Sequence, residues 1–159
     1  MKKYTLIFIS IILLASCHSP VDYVKDLNLV NKAEGHTLWH NPEFDTLDTY
    51  EKINNWILDH IVYDESKDDV KKWGNPEDTV KLGYGTCLDF AILFMNIAYY
   101  GMNQEMDLVC VEFKESRAIE AGGYVDHTVV RYNGKYIEPQ TGEEVFYTGR
   151  YSLKFSDIF

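Results

Sequence analysis

Cysteine is scarce in this chain, with three in 159 residues, and that scarcity excludes a small fold stapled by disulfides. One of the three, Cys17, closes an N-terminal apolar stretch, leaving Cys87 and Cys110 for the rest. Two cysteines permit a single bridge. Cys110, however, lies in the apolar run Leu108-Val109-Cys110-Val111, where a small buried thiol needs no partner, so two free thiols are expected. Cations are short as well: 15 Lys and Arg face 25 Asp and Glu, a net charge of −10. A surface that acidic has little with which to neutralise phosphates, so no nucleic acid partner is expected, nor adhesion to anionic lipid by charge. No repeat, low-complexity tract or second long apolar span is present. His36 and His40 have helical spacing, but Gly35 and Pro42 oppose a helix there, and no acid or cysteine completes a ligand set. No metal and no cofactor are expected. What the chain does have is aromatic bulk, twelve Tyr and eight Phe, enough for one core.

The two ends of the N-terminal segment differ in character. Met1-Lys2-Lys3 is positive, Leu6 to Leu14 is almost unbroken apolar sequence, and Leu14-Ala15-Ser16-Cys17 follows. The apolar part is too short for a comfortable permanent span and has the form of a secretory signal. Its closing tetrapeptide resembles the lipobox of bacterial lipoproteins. That resemblance implies that residues 1–16 are a removed signal peptide and that Cys17 is lipidated. The mature protein would then be membrane-anchored and extracytoplasmic, in a bacterial cell envelope. An ordinary cleavable signal with a chance cysteine is the alternative. Residues 1–16 carry two Lys and no acid, so their loss takes the balance from −10 to −12. Residues 17–45 are expected to be a tether and a loop or short helix, packing through Leu38 and Trp39. Residues 46–159 make one domain.

Along that domain the periodicity predicts a helix over about Thr46 to Tyr63, with Tyr50, Ile53, Ile57 and Ile61 on one face and Asp45 or Thr46 as cap. Pro76 fits the first turn of a short helix to Leu82, with Asn75 before it. Gly83, Gly85 and Thr86 then break to a third helix from Cys87 to about Tyr100, for which Gly101 is the expected stop. From Asp107 the pattern becomes β: strands at Asp107 to Phe113, Tyr124 to Tyr132 and Lys135 to Glu138, with Asn133-Gly134 as the hairpin turn. Val145-Phe146-Tyr147 and Leu153-Lys154-Phe155 add short strands. Helices followed by antiparallel strands predict an α+β fold.

The run Gly85-Thr86-Cys87-Leu88-Asp89-Phe90-Ala91 delivers a thiol to the first turn of an apolar helix. Backbone N–H groups and the positive end of the helix dipole favour a thiolate there. His127 follows in one strand and Glu138 in its partner. Nucleophile, base and orienting acid thus appear in that order, each on a rigid element. Counting back from the turn pairs Tyr132 with Lys135, Val130 with Ile137 and Val129 with Glu138. His127 and Glu138 are then diagonal neighbours on one face. Asp126, the fallback acid, faces the other side of its strand. Asp89 is expected to bond backbone near the helix start.

Gly-x-Cys-x-Asp-x-Ala at a helix start, then a strand histidine, then an acid followed by proline, resembles the transglutaminase-like superfamily of papain-type cysteine enzymes. Ile57-Leu58-Asp59-His60-Ile61-Val62-Tyr63-Asp64 and Trp73-Gly74-Asn75-Pro76-Glu77-Asp78-Thr79-Val80 extend the similarity upstream. The resemblance implies a central cysteine-bearing helix packed on a small antiparallel sheet that carries histidine and acid. It also implies an enzyme acting through an acyl-enzyme on an amide in a peptide, protein or cell-wall substrate. The chain departs from the pattern in Thr128-Val129, where many members have a small residue and an aromatic, and in Glu138, where aspartate is commoner. The family's oxyanion donor is not assigned; Trp73, Tyr84 and Trp56 are candidates. Two other readings stay open at this point: a catalytically silent binding module of the cell envelope, and a thiol redox protein using Cys87 and Cys110.

Overall fold

The computed structural model describes residues 35–64, 74–113, 125–146 and 149–159. Cys17, the signal-like segment and Trp73 lie outside the described residues.

Ile53, Trp56 and Ile57 bury the apolar face of α1, Tyr50–His60. This helix starts later than its periodicity suggests, because Pro42–Thr46 is a separate 3-10 turn begun by the Asn41 side chain, which accepts from the Glu43 N–H. Thr49, rather than Asp45 or Thr46, caps α1 by accepting from the Lys52 N–H at 3.2 Å. The helix also ends earlier. Val62–Tyr63 is extended as β1 and pairs in parallel with β2, Tyr84–Gly85, a long-range contact that no local pattern reveals. Between them Pro76–Leu82 forms α2, closed by Gly83 at φ 72°.

The central helix α3, Cys87–Met102, is buried continuously from Leu88 to Ala98, as expected of a helix surrounded by other elements. It runs past Gly101 and ends at Asn103, which takes the left-handed conformation at φ 52°. Gly101 serves another purpose: a Cβ there would collide with the Leu47 and Phe44 carbonyls. Asn96, fully buried in the middle of α3, exchanges both its amide bonds with the Trp39 backbone, at 2.9 and 2.8 Å. The segment around Leu38 and Trp39 is thereby fastened to the core, as read from its side chains.

Five antiparallel strands make the main sheet: β3 Asp107–Phe113, β4 Val125–Tyr132, β5 Lys135–Ile137, β6 Glu144–Val145 and β7 Gly149–Leu153. They lie in the order β6-β5-β4-β3-β7. Asn133 and Gly134 both have positive φ, the primed-turn geometry that matches strand twist. The resulting register pairs Tyr132 with Lys135 and Val130 with Ile137, as counted from the sequence. Leu108, Val130, Ile137 and Leu153 turn to α3 and share its core. Val109, Val111 and Val129 form a second buried cluster with Tyr136. The expected strand at Leu153 to Phe155 is corrected: β7 stops at Leu153, and Phe155–Ile158 is a short helix, α4. Stacking of Phe155 on Tyr99 and burial of Ile158 account for that turn inward. A cysteine-bearing helix packed on an antiparallel sheet is the α+β arrangement anticipated.

Candidate active site

Cys87 is the first residue of α3, and the turn before it is held by Asp89. The buried Asp89 carboxylate accepts from the Thr86 N–H at 2.8 Å, the Thr86 hydroxyl at 3.0 Å and the Gly74 N–H at 2.8 Å. One carboxylate thus ties the helix start and the upstream segment into one body. Gly85 has to be glycine here, since a Cβ would stand 2.7 Å from the Asp89 Cβ. Among the other early candidates, Tyr84 is half-buried on β2 opposite Val62.

His127 comes from β4 and is buried, at 9 % exposure. Its Nε2 lies 2.6 Å from Glu138 Oε2. Cys87 is the other group that acts on the ring, through a hydrogen-bonding and a charge interaction that both favour the imidazolium. Burial opposes a charged imidazole, yet the hydrogen bonds and charges of Cys87 and Glu138 outweigh it. Together they lift the His127 pKa from 6.5 to about 9. An imidazolium is therefore the form present at neutral pH.

Glu138 follows β5 directly and turns a tight corner. Its carbonyl accepts from the Gly142 N–H at 2.7 Å, its N–H donates to the Glu143 carbonyl at 2.9 Å, and its Oε1 accepts from the Gln140 N–H at 3.2 Å. Continuing the β4–β5 register sets Glu138 beside Val129, hence diagonal to His127 on one face. Asp126 is the next residue along β4 from His127, paired in the ladder with Glu112.

Cys87, His127 and Glu138 therefore meet in one place, drawn from a helix start, a strand and a corner. The model of a family described as a transglutaminase-like domain matches residues 37–137. The chain belongs to the transglutaminase-like domain family. Cys87 and His127 fall inside the matched segment, which stops one residue short of Glu138. No curated protein matches this chain.

Two residues of this transglutaminase-like site have no counterpart in the sequence reading. Asn54 of α1, 5 % exposed, donates its amide to the Pro139 carbonyl at 3.0 Å and so braces the Glu138 corner. The signal available for it was a polar side chain beside Ile53 and Ile57 on a buried helix face. Thr128, 2 % exposed, has its Oγ1 3.8 Å from the Cys87 Sγ. Its presence had registered only as a departure from the family pattern. Neither Cys87 nor Cys110 is in a disulfide, and Cys110 pairs across the ladder with Thr128.

Proposed function

We propose that this protein is a lipid-anchored, extracytoplasmic cysteine enzyme that forms an acyl-enzyme at Cys87. The acyl group would come from an amide in a peptide, protein or cell-wall substrate and pass to water or an amine. The observation that carries the reading is that Cys87, at the start of a buried helix, and Glu138, 2.6 Å from Nε2, both act on the buried His127 ring. The thiolate attacks the amide carbonyl, and the carbonyl π pair moves to oxygen. The Cys87 N–H, at the first position of α3 and without a partner in the helical ladder, is suited to receive that oxyanion. Collapse of the adduct breaks the C–N bond, and the His127 imidazolium gives its proton to the departing amine. The neutral imidazole then takes a proton from water or an incoming amine, which attacks the thioester and releases the Cys87 thiolate. Glu138 holds the ring in orientation and balances the imidazolium throughout.

Reaction of the full-length protein with an amide-derived acyl probe tests the chemistry. Intact mass should show a covalent adduct on wild type, none on Cys87→Ala, and strongly slowed formation in His127→Gln. Adducts that form equally on wild type and Cys87→Ala would exclude Cys87 as the nucleophile. The domain would then read as a binding module of the envelope, a role that its acidic surface and Thr128-Val129 after the histidine also suit. Anchoring rests on the Leu14-Ala15-Ser16-Cys17 tetrapeptide. Metabolic labelling with an alkyne fatty acid, lost in Cys17→Ala, is the expected result.

A further inference from the structure

We infer that the Thr128 hydroxyl is a second hydrogen-bond partner of the Cys87 sulfur, stabilising it as a thiolate alongside His127. The inference rests on the nucleophile reading above and adds a residue to that site.

Thr128 stands on the core-facing side of the sheet in the same row as Cys110, its partner across the ladder, and the next row, Val130 and Leu108, is aliphatic. Val130 and Leu108 share its face, with Ile137 and Leu153 on the neighbouring strands, and all four belong to the core around α3. Valine has nearly the shape of threonine, so packing alone gives no reason for a hydroxyl in that row. At 2 % exposure the hydroxyl is also withdrawn from bulk water, where an unbonded O–H is costly. Its side-chain partner is the Cys87 sulfur, 3.8 Å away.

Adjacent strand residues point to opposite faces. His127 and Thr128 are consecutive on β4, so the two groups that act on the sulfur leave the strand on opposite faces.

The hydroxyl can serve both ionisation states by rotation alone. Beside a thiol, S–H donates to Oγ1; beside a thiolate, the hydroxyl proton turns and donates to sulfur. The bond is stronger to the anion, because hydrogen bonds to charged groups exceed neutral ones. Once sulfur is acylated its charge is gone and the contact weakens. Thr128 thus favours the free thiolate, both as the attacking form and as the leaving form when the thioester is resolved. The same bond tempers the nucleophilicity of each thiolate, since a more stabilised thiolate attacks more slowly.

The experiment is the pH profile of Cys87 alkylation by iodoacetamide in the full-length protein, read on the Cys87 peptide by mass spectrometry. Thr128→Val should move the midpoint upward by about one pH unit. Its alkylation should be about tenfold slower below the midpoint, with a high-pH plateau equal to wild type or higher. Thr128→Ser, which keeps the hydroxyl and loses the methyl, should keep the wild-type midpoint. Coincident midpoints for wild type and Thr128→Val overturn the inference, as does a shift shared by Ser and Val, which assigns the effect to packing. If Thr128→Val does not fold by circular dichroism, Thr128→Ala against Thr128→Ser gives the same contrast. Wild-type Cys87 that alkylates no faster than free cysteine at pH 7 overturns the nucleophile reading itself, and this inference with it. A reactive wild type with an unmoved Thr128→Val overturns this inference alone.

Discussion

The Asn54 side chain of α1 and the Pro139 carbonyl, 85 positions apart, are joined by a buried hydrogen bond of 3.0 Å. Through it a helix outside the reacting groups braces the corner that aims Glu138 at His127. Gly142 completes the same junction: it sits at φ 71°, and a Cβ on it would stand 3.0 Å from the Asn54 Cβ and from the Tyr50 carbonyl.

Asn54→Ala should therefore act on both stability and reactivity. The Pro139 carbonyl loses its donor in a buried place, at a cost of about 1–3 kcal/mol. Urea unfolding followed by fluorescence reads that loss. The Cys87 acylation rate should also fall several-fold, roughly 1 kcal/mol on the barrier, since the bracing bond is gone while the three reacting side chains remain. An unchanged acylation rate would assign Asn54 to stability alone.

Stability should depend on pH through His127. Its pKa in the folded protein, about 9, lies above the ordinary 6.5. The group therefore contributes in full below about pH 6.5, and its contribution is lost as pH rises through about 9. Wild type should exceed His127→Gln by more at pH 6 than at pH 9.5, by roughly 1–3 kcal/mol. Urea midpoints of the two proteins across that range give the difference curve. A gap that widens toward alkaline pH has the wrong sign and would contradict an imidazolium in the folded site.

Asp89→Ala removes one acceptor from three donors at once. Two of them, the Thr86 and Gly74 N–H groups, are backbone and cannot turn elsewhere. The expected loss is about 2–4 kcal/mol, the combined cost of a helix cap and a buried unsatisfied donor. Thermal unfolding measures it. Asp89→Asn keeps two oxygen-sized positions but offers one acceptor, and should fall between the two.

Gly101→Ala sets two effects against each other. Helix propensity favours alanine by about 1 kcal/mol. The added methyl would run into the Phe44 and Leu47 carbonyls, which are backbone and yield only if the 3-10 turn moves. Overpacking of that kind costs about 1–3 kcal/mol. The variant should consequently be the less stable, with a lower urea midpoint. A gain in stability would show that the 3-10 segment shifts freely.

Much of the fold was legible because its signals are local. The burial of α3 follows from its unbroken apolar run. The β4–β5 register follows from Asn133-Gly134, since a two-residue turn admits one pairing, and that register alone set His127 and Glu138 on one face. The misreadings have a common origin in contacts between distant segments. Ile61 to Tyr63 continues a helical period yet turns extended, because Tyr84–Gly85 offers it a ladder. Gly101 has the look of a helix stop, but it marks where another backbone passes close by. Phe155 alternates like a strand residue, yet stacks on Tyr99 and starts a helix instead.

By itself the sequence determined which chemistry was on offer: a thiol at a helix start, one histidine and one carboxylate on neighbouring strands, and too few cations for nucleic acid. Periodicity and turn residues act over a few positions, so they could say which face each group occupies. Only the tertiary structure decided that the sulfur reaches the imidazole, that Asn54 props the acid corner, and that Thr128 touches the thiol. Those contacts join residues 40 to 85 positions apart, and packing of α1 and α3 against the sheet settles them. No short stretch of chain carries that information.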